Sequence, residues 1–262
     1  MSPSRQRAGL RGHPSKIAWE CSGLTDRGLV RADNEDVFLI DRDLGLCIVS
    51  DGMGGGNAGS LASKIVVTVL PALLREHLKG IESLAGTAAR DQLKAAMSRL
   101  SVDIRSRTEG LPGLEGMGAT VVLALVRGHR VLIGHMGDSR AYRFRNGALE
   151  LLTRDHSLAR LLIEHGEITR DQARTHPAKD QLTRFVGMKS EPLPEIRGLE
   201  LRGGDCLLLC SDGLTKMVPD RELLNILGSS QSAAEVCRTL VTAANHAGGI
   251  DNTTAVCLRV SK

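Results

Sequence analysis

Aromatic side chains are almost missing: the 262-residue chain has one Trp, one Tyr and three Phe. A core built without them must rest on Leu, Val, Ile and Ala, and single-stranded nucleic acid finds no platform on which its bases could stack. No run approaches the about 18 apolar residues of a membrane span, and no signal-peptide-like apolar stretch follows the basic N-terminus. The expectation is a cytoplasmic, monomeric protein with no nucleic-acid and no membrane partner. Acidic residues are absent from 1–16, where Arg5, Arg7, Arg11 and Lys16 account for the whole net charge of +4. With Ser, Pro and Gly around them, these residues read as a disordered basic leader. Residues 17–262 read as one domain, with no repeat and no linker. Paired cysteines at metal-ligand spacing are also lacking: Cys206 and Cys210 lie four apart with no second pair, so a zinc site is not expected. Cys47, Cys206, Cys210 and Cys257 fall in apolar, strand-like runs, where cysteine acts as a small buried hydrophobe.

Short apolar runs dominate what is present. Strands are predicted at 17–24, 37–40, 46–50, 119–126, 130–135, 141–145, 149–152, 196–201, 205–210 and 253–260. Helices are predicted at 60–78, with Leu61, Ile65, Val69 and Leu73 along one face, and at 84–108, with Leu93, Met97, Leu100 and Ile104. Two more are expected at 220–227 and 232–245. The short connections from 119 to 145 predict an antiparallel meander. Strands on both sides of a helix pair, then strands and two more helices, suit an α+β fold. Its expected form is a four-layer α/β/β/α sandwich of two antiparallel sheets flanked by helix pairs.

Five aspartates are expected where a strand ends in a turn: Asp36 in NEDV, Asp51 in VSDGMGGG, Asp138 in GHMGDSR, Asp212 in LLCSDGL and Asp251 in GIDNTT. A carboxylate at the end of a buried strand is held rigidly, and a following Gly lets backbone approach a ligand. Clustered carboxylates repel one another, and a divalent cation with all-oxygen ligation, Mg²⁺ or Mn²⁺, relieves that repulsion. A lone Asp-Gly after a strand is more often a turn than a ligand, so the five matter only if they converge in space. The glycine-rich stretch before the first helix lacks the Gly-Lys-Ser/Thr of a phosphate-binding loop, and nucleotide binding has little support.

Eight short motifs occur in order between Thr25 and Val256: TDRGLVRADNEDVF, VSDGMGGGNAG, GMGATVV, GDSRAYRFRNG, LTRDHSL, HPAKDQLTRFVG, CSDGLTKMV and DNTTAV. Together they resemble the bacterial members of the type 2C, or PPM, family of metal-dependent serine/threonine protein phosphatases. The resemblance implies a β-sandwich flanked by paired helices, with a flap at about 155–189. It also implies two core Mn²⁺ or Mg²⁺ ions, a possible third and weaker one, and attack on phosphorus by a water that the core pair activates. By position, Asp51 would bridge the two ions, the carbonyl of Gly52 would complete the second, and Asp212 and Asp251 would complete the first. Asp138 would share a third ion with Asp212. Asp36 would orient water from outside the ligand shell, aided by Glu35 and Asn252, and Arg31 would bind the substrate phosphate.

Two positions depart from the family pattern. Met53 stands where eukaryotic members often have a histidine that is a candidate general acid, and Asp180 stands where relatives often have Asn. A metal-bound water is the preferred proton donor; His135 could substitute but reads better as a structural residue. His156 and His176 read as structural or substrate-facing. A cysteine-nucleophile phosphatase, which cradles phosphate in a Cys-x5-Arg loop, is set aside. The implied partners are phosphorylated proteins and a cognate serine/threonine kinase. The alternative function is a pseudophosphatase that binds phosphoproteins as a regulatory module.

Overall fold

A period of two decides the architecture. In the strand Val121–Arg127, Val121, Leu123 and Leu125 point one way and Val122, Ala124 and Val126 the other, and all six are buried. A strand buried on both faces needs a layer on each side. The structure is a computed structural model that describes residues 18–261 apart from Gly56, Glu115 and Arg174. The leader expected over 1–16 lies outside the described residues.

In chain order the elements are β1 (Trp19–Asp26), β2 (Asp36–Asp41), β3 (Leu46–Met53), α1 (Ala58–His77), α2 (Thr87–Thr108), β4 (Gly118–Ala119), β5 (Val121–Arg127), β6 (Arg130–Met136), β7 (Arg140–Arg145) and β8 (Ala148–Leu151). Then follow α3 (Leu158–Glu164), α4 (Arg170–Ala173), β9 (Glu195–Glu200), β10 (Cys206–Cys210), α5 (Asp212–Met217), α6 (Asp220–Leu227), α7 (Ala233–His246) and β11 (Thr253–Val260). One antiparallel sheet runs β1-β11-β10-β7-β8 and the other β2-β3-β5-β6-β9, with β4 paired to the end of β3. Cys47, Val49, Val122, Ala124, Leu207, Leu209, Val256 and Leu258 fill the space between the sheets. Ile48, Leu123, Leu125 and Leu132 pack outward against α1 and α2, whereas Leu208, Cys210 and Cys257 pack against α5, α6 and α7. The expected four layers are present.

Several local expectations need correction. The buried stripe of α1 is Ala62, Val66, Leu70 and Leu74, all at 0% exposure, while Leu61 is 43% exposed. α1 is apolar nearly all round, so i, i+4 spacing alone could not choose between two adjacent faces. Its composition and length match a membrane span, which the absence of a long unbroken apolar run did not suggest; here it packs with α2 as an outer layer against β3, with its buried stripe on the sheet. The meander is broken after one hairpin. β5 pairs with β6, but β7 joins β10 and β8 in the opposite sheet, so the chain crosses between sheets at Gly137–Ser139. Gly137 makes that crossing at φ +115°, and a Cβ there would lie 2.7 Å from Thr120 Cβ. Residues 212–217, where the sequence suggests only a turn after the apolar run, form the helix α5.

The Cys-x5-Arg spacing, set aside above, does occur once, from Cys21 to Arg27. It runs along β1 and not around a phosphate cradle. Cys21 is buried with its Sγ 3.3 Å from Cys47 Sγ, and that contact, with burial, pushes the thiol up. All six cysteines are free and buried.

The segment between β8 and β9 is pinned to β6 by a histidine pair. His135 and His156 stack with ring centroids 4.5 Å apart. His135 Nε2 donates to the Arg154 carbonyl at 2.8 Å, and His156 Nδ1 accepts from the Gly137 N–H at 3.2 Å. Both rings therefore carry their proton on Nε2, and that of His156 faces Glu195 Oε1 at 3.2 Å. Burial pushes both rings down, His156 to about 4 with His135 as a second cause. Between that value and the ordinary 6.5 the unfolded chain binds more protons than the folded one, so stability falls as pH is lowered through this window. His156→Asn, whose Oδ1 can still accept from Gly137, should lower Tm near neutrality. It should also show a shallower loss of Tm than wild type between about pH 7 and about pH 5 in thermal melts.

Candidate metal centre

The five aspartates come from five separate segments. Asp36 opens β2 and stands opposite Asp51 of β3 in the antiparallel register. Asp138 lies on the crossing between β6 and β7, Asp212 is the first residue of α5 after β10, and Asp251 precedes β11. Only some therefore follow a strand, yet four of them line one cleft of about 250 Å³ with Gly52, Arg31, Glu35 and Asn252. Asp36 lies behind that wall, 3% exposed. The convergence that the sequence could only make conditional is present.

Hydrogen bonds hold the cleft from both sheets. Asp36 Oδ2 accepts from Ser211 Oγ and from Thr254 Oγ1, both at 2.7 Å. Thr120 Oγ1 accepts from the Asp51 N–H at 3.0 Å and lies 2.7 Å from Ser139 Oγ. Asn252 Nδ2 donates to the carbonyls of Arg27 and Asp33, and its Oδ1 accepts from the Glu35 N–H, so it shapes the loop carrying Arg31. Arg31 Nε meets Asp251 Oδ1 at 2.9 Å. Gly52 has no room for a side chain: a Cβ would lie 2.0 Å from the Gly59 carbonyl oxygen.

The electrostatics are those of crowded like charge. Burial first, then the neighbouring carboxylates, pushes Asp51 well above its ordinary value and Asp138 to about 8, while burial raises Asp212 against the opposing pull of Lys216. Asp36 rises to about 7 through burial, against the two hydroxyl bonds that favour its charged form. Lys216, one turn beyond Asp212, is a cation in the same cleft; its Nζ lies 2.6 Å from Asp212 Oδ2. Burial alone would lower Lys216, but Asp212 outweighs it and the ammonium is held well above its ordinary value.

These residues fit a divalent metal. Asp36 Oδ1 and Asp212 Oδ1 are buried with no hydrogen-bond partner, the donors are all oxygen, and the mutual repulsion calls for a cation. The trio His135, His156 and Glu195 also brings three possible ligand atoms together. There, however, the Nε2 of each ring carries a proton, and Arg184 Nη1 lies 3.1 Å from Glu195 Oε1, so protons and a guanidinium already fill the places of a metal. His135 is thus a hydrogen-bonded structural residue.

Ser211, Thr254, Thr120 and Lys216 escaped the sequence reading. The hydroxyls carry no pattern of their own. Lys216 is legible only once SDGL is known to open a helix, which puts residue i+4 beside the aspartate.

The protein phosphatase 2C family matches residues 25–248. The serine/threonine phosphatase stp of Listeria welshimeri is 37% identical over 235 residues, 88% of this chain and 92% of that one. The serine/threonine protein phosphatase PstP of Mycobacterium tuberculosis is 40% identical over 234 residues, 88% of this chain and 43% of that longer protein. Among solved structures, the serine/threonine phosphatase of S. agalactiae superposes with a TM-score of 0.85 at 31% identity, covering 93% of this chain and all of that one. The catalytic domain of PstP in complex with two manganese ions gives a TM-score of 0.77 at 33% identity, over 93% of this chain and 99% of that one. With its two-sheet sandwich and its acidic cleft, the chain belongs to the protein phosphatase 2C family of metal-dependent phosphatases.

Proposed function

We propose that this protein hydrolyses phosphoserine and phosphothreonine on protein substrates, with Mn²⁺ or Mg²⁺ held by Asp51, the Gly52 carbonyl, Asp212 and Asp251. Asp138, with Asp212, would hold a third, weaker ion. The observation that carries the reading is the gathering of Asp51, Asp138, Asp212, Asp251 and Arg31 around one cleft. When bound, such ions supply Lewis acidity for the attack of water on phosphorus.

The chain's own groups have separable tasks. Arg31 is oriented through Nε by Asp251, which leaves its two Nη groups to receive phosphoryl oxygens as a fork. Asp36 is fixed through Oδ2 and keeps Oδ1 to orient water. Thr120 and Asn252 hold the backbone on either side of the cleft. Met53 lines the cleft but its thioether donates no proton, so the leaving alkoxide takes its proton from water. The stretch 155–189 serves as a flap over the site, a reading supported by Asp180 and Leu182 in the cleft wall. The partners are phosphorylated proteins in the cytoplasm and the serine/threonine kinase that makes them. A binding-only role is disfavoured because no member of the acidic set is missing.

Phosphate release from a phosphothreonine peptide should appear with Mn²⁺ or Mg²⁺ and vanish with excess chelator. Asp212→Asn should lower the metal-dependent rate by about 100-fold or more while circular dichroism stays that of wild type. An undiminished rate would refute the assignment of this site. Arg31→Ala should lower kcat/KM by about 10- to 100-fold, mainly through KM, because it removes a contact to substrate and no metal ligand. Steady-state kinetics on the same peptide separates the two variants.

A further inference from the structure

α5 has only six residues, but its pitch sets Lys216 on the same side as Asp212. The ammonium has three carboxylate neighbours. Nζ lies 2.6 Å from Asp212 Oδ2, 3.4 Å from Asp251 Oδ2 and 3.3 Å from Asp180 Oδ1. Two of these belong to the cluster read above as metal ligands. The third belongs to the segment between β8 and β9 and is 58% exposed, against 15% for Asp212 and 17% for Asp251. The single amine thus sits between an inner carboxylate pair and an outer carboxylate on a different part of the chain.

The ammonium at Asp212 Oδ2 and a divalent cation drawn to the same carboxylate repel each other, and with Asp212 only 15% exposed that repulsion is weakly screened. We propose that Lys216 is a tethered competitor for the divalent cation at Asp212 and Asp251, and that Asp180 draws it away and thereby raises metal affinity. On loading, Nζ leaves Asp212 Oδ2 and stays with Asp180. Metal occupancy and the contact between α5 and the overlying segment are then linked, each favouring the other. Lys216 is a positioning residue, acting through the ligands and not on the substrate. The inference rests on the reading of Asp212 and Asp251 as metal ligands, but its signs are its own.

Calorimetric titration of the full chain with Mn²⁺ alone tests it, with no turnover assay. Lys216→Met should bind Mn²⁺ about ten-fold more tightly than wild type. Asp180→Asn should bind about three-fold more weakly, since the amine falls back on Asp212 and Asp251. The double variant should match Lys216→Met within about two-fold, because Asp180 acts only through the amine. Lys216→Gln gives a second uncharged variant of the same expected sign should the Met variant fold poorly. Equal or weaker Mn²⁺ affinity in the folded Lys216 variants would overturn the proposal, as would an Asp180→Asn effect that persists in the double variant. If wild type takes up no Mn²⁺ at all, the metal-centre reading itself fails; wild-type uptake with unchanged affinity in the variants removes this inference alone.

Discussion

Carboxylates that repel one another must be held together by something stronger than their own preference, and the sandwich supplies it. Asp51 is fixed in β3, Asp36 opposite it in β2, and Asp212 at the junction of β10 and α5. Each is anchored in a buried strand end whose displacement would open the core. Burial and proximity raise the carboxyls that the ladder holds there, so the fold keeps the cleft in a state that a divalent cation relaxes. The polar residues around it serve the same end. Ser211, just past the end of β10, and Thr254 of the neighbouring β11 clamp a carboxylate of the other sheet.

Much of this was legible in the residues. Strand positions followed from short apolar runs, and the four layers followed from runs apolar at nearly every position, as in TVVLALV. The acidic set was legible because each member flanks a short apolar run, and Asp51 and Asp212 are each followed by Gly. What failed was non-local or ambiguous. α1 presents apolar side chains on adjacent faces, so the helical spacing of Leu61, Ile65, Val69 and Leu73 did not single out the buried stripe of Ala62, Val66, Leu70 and Leu74. The crossing after β6 looks like any tight strand connection, and only pairing partners distinguish a hairpin from a change of sheet. Missing α5 hid Lys216, whose place beside Asp212 depends on helical pitch.

The match to bacterial relatives and the physical reading meet on the same cleft from different directions. Similarity over 88% of the chain carries the family, while the partnerless oxygens of Asp36 and Asp212 carry the chemistry. The departures are informative on their own terms. Met53 removes one proton donor from the cleft wall, and Asp180 puts a carboxylate within reach of Lys216, the only lysine among the described residues that lines it.

The pairing of β1 with β11 sets Thr25 opposite Thr254, which is fully buried, and Thr254 in turn holds Asp36. Asp251 and Thr254 lie 200 residues or more after the segments they complete. During synthesis on the ribosome, Arg31, Asp36 and Asp51 emerge long before those partners exist. The nascent chain therefore carries no finished cation trap, and the acidic residues stay open to solvent until the closing strand zips into place beside the first.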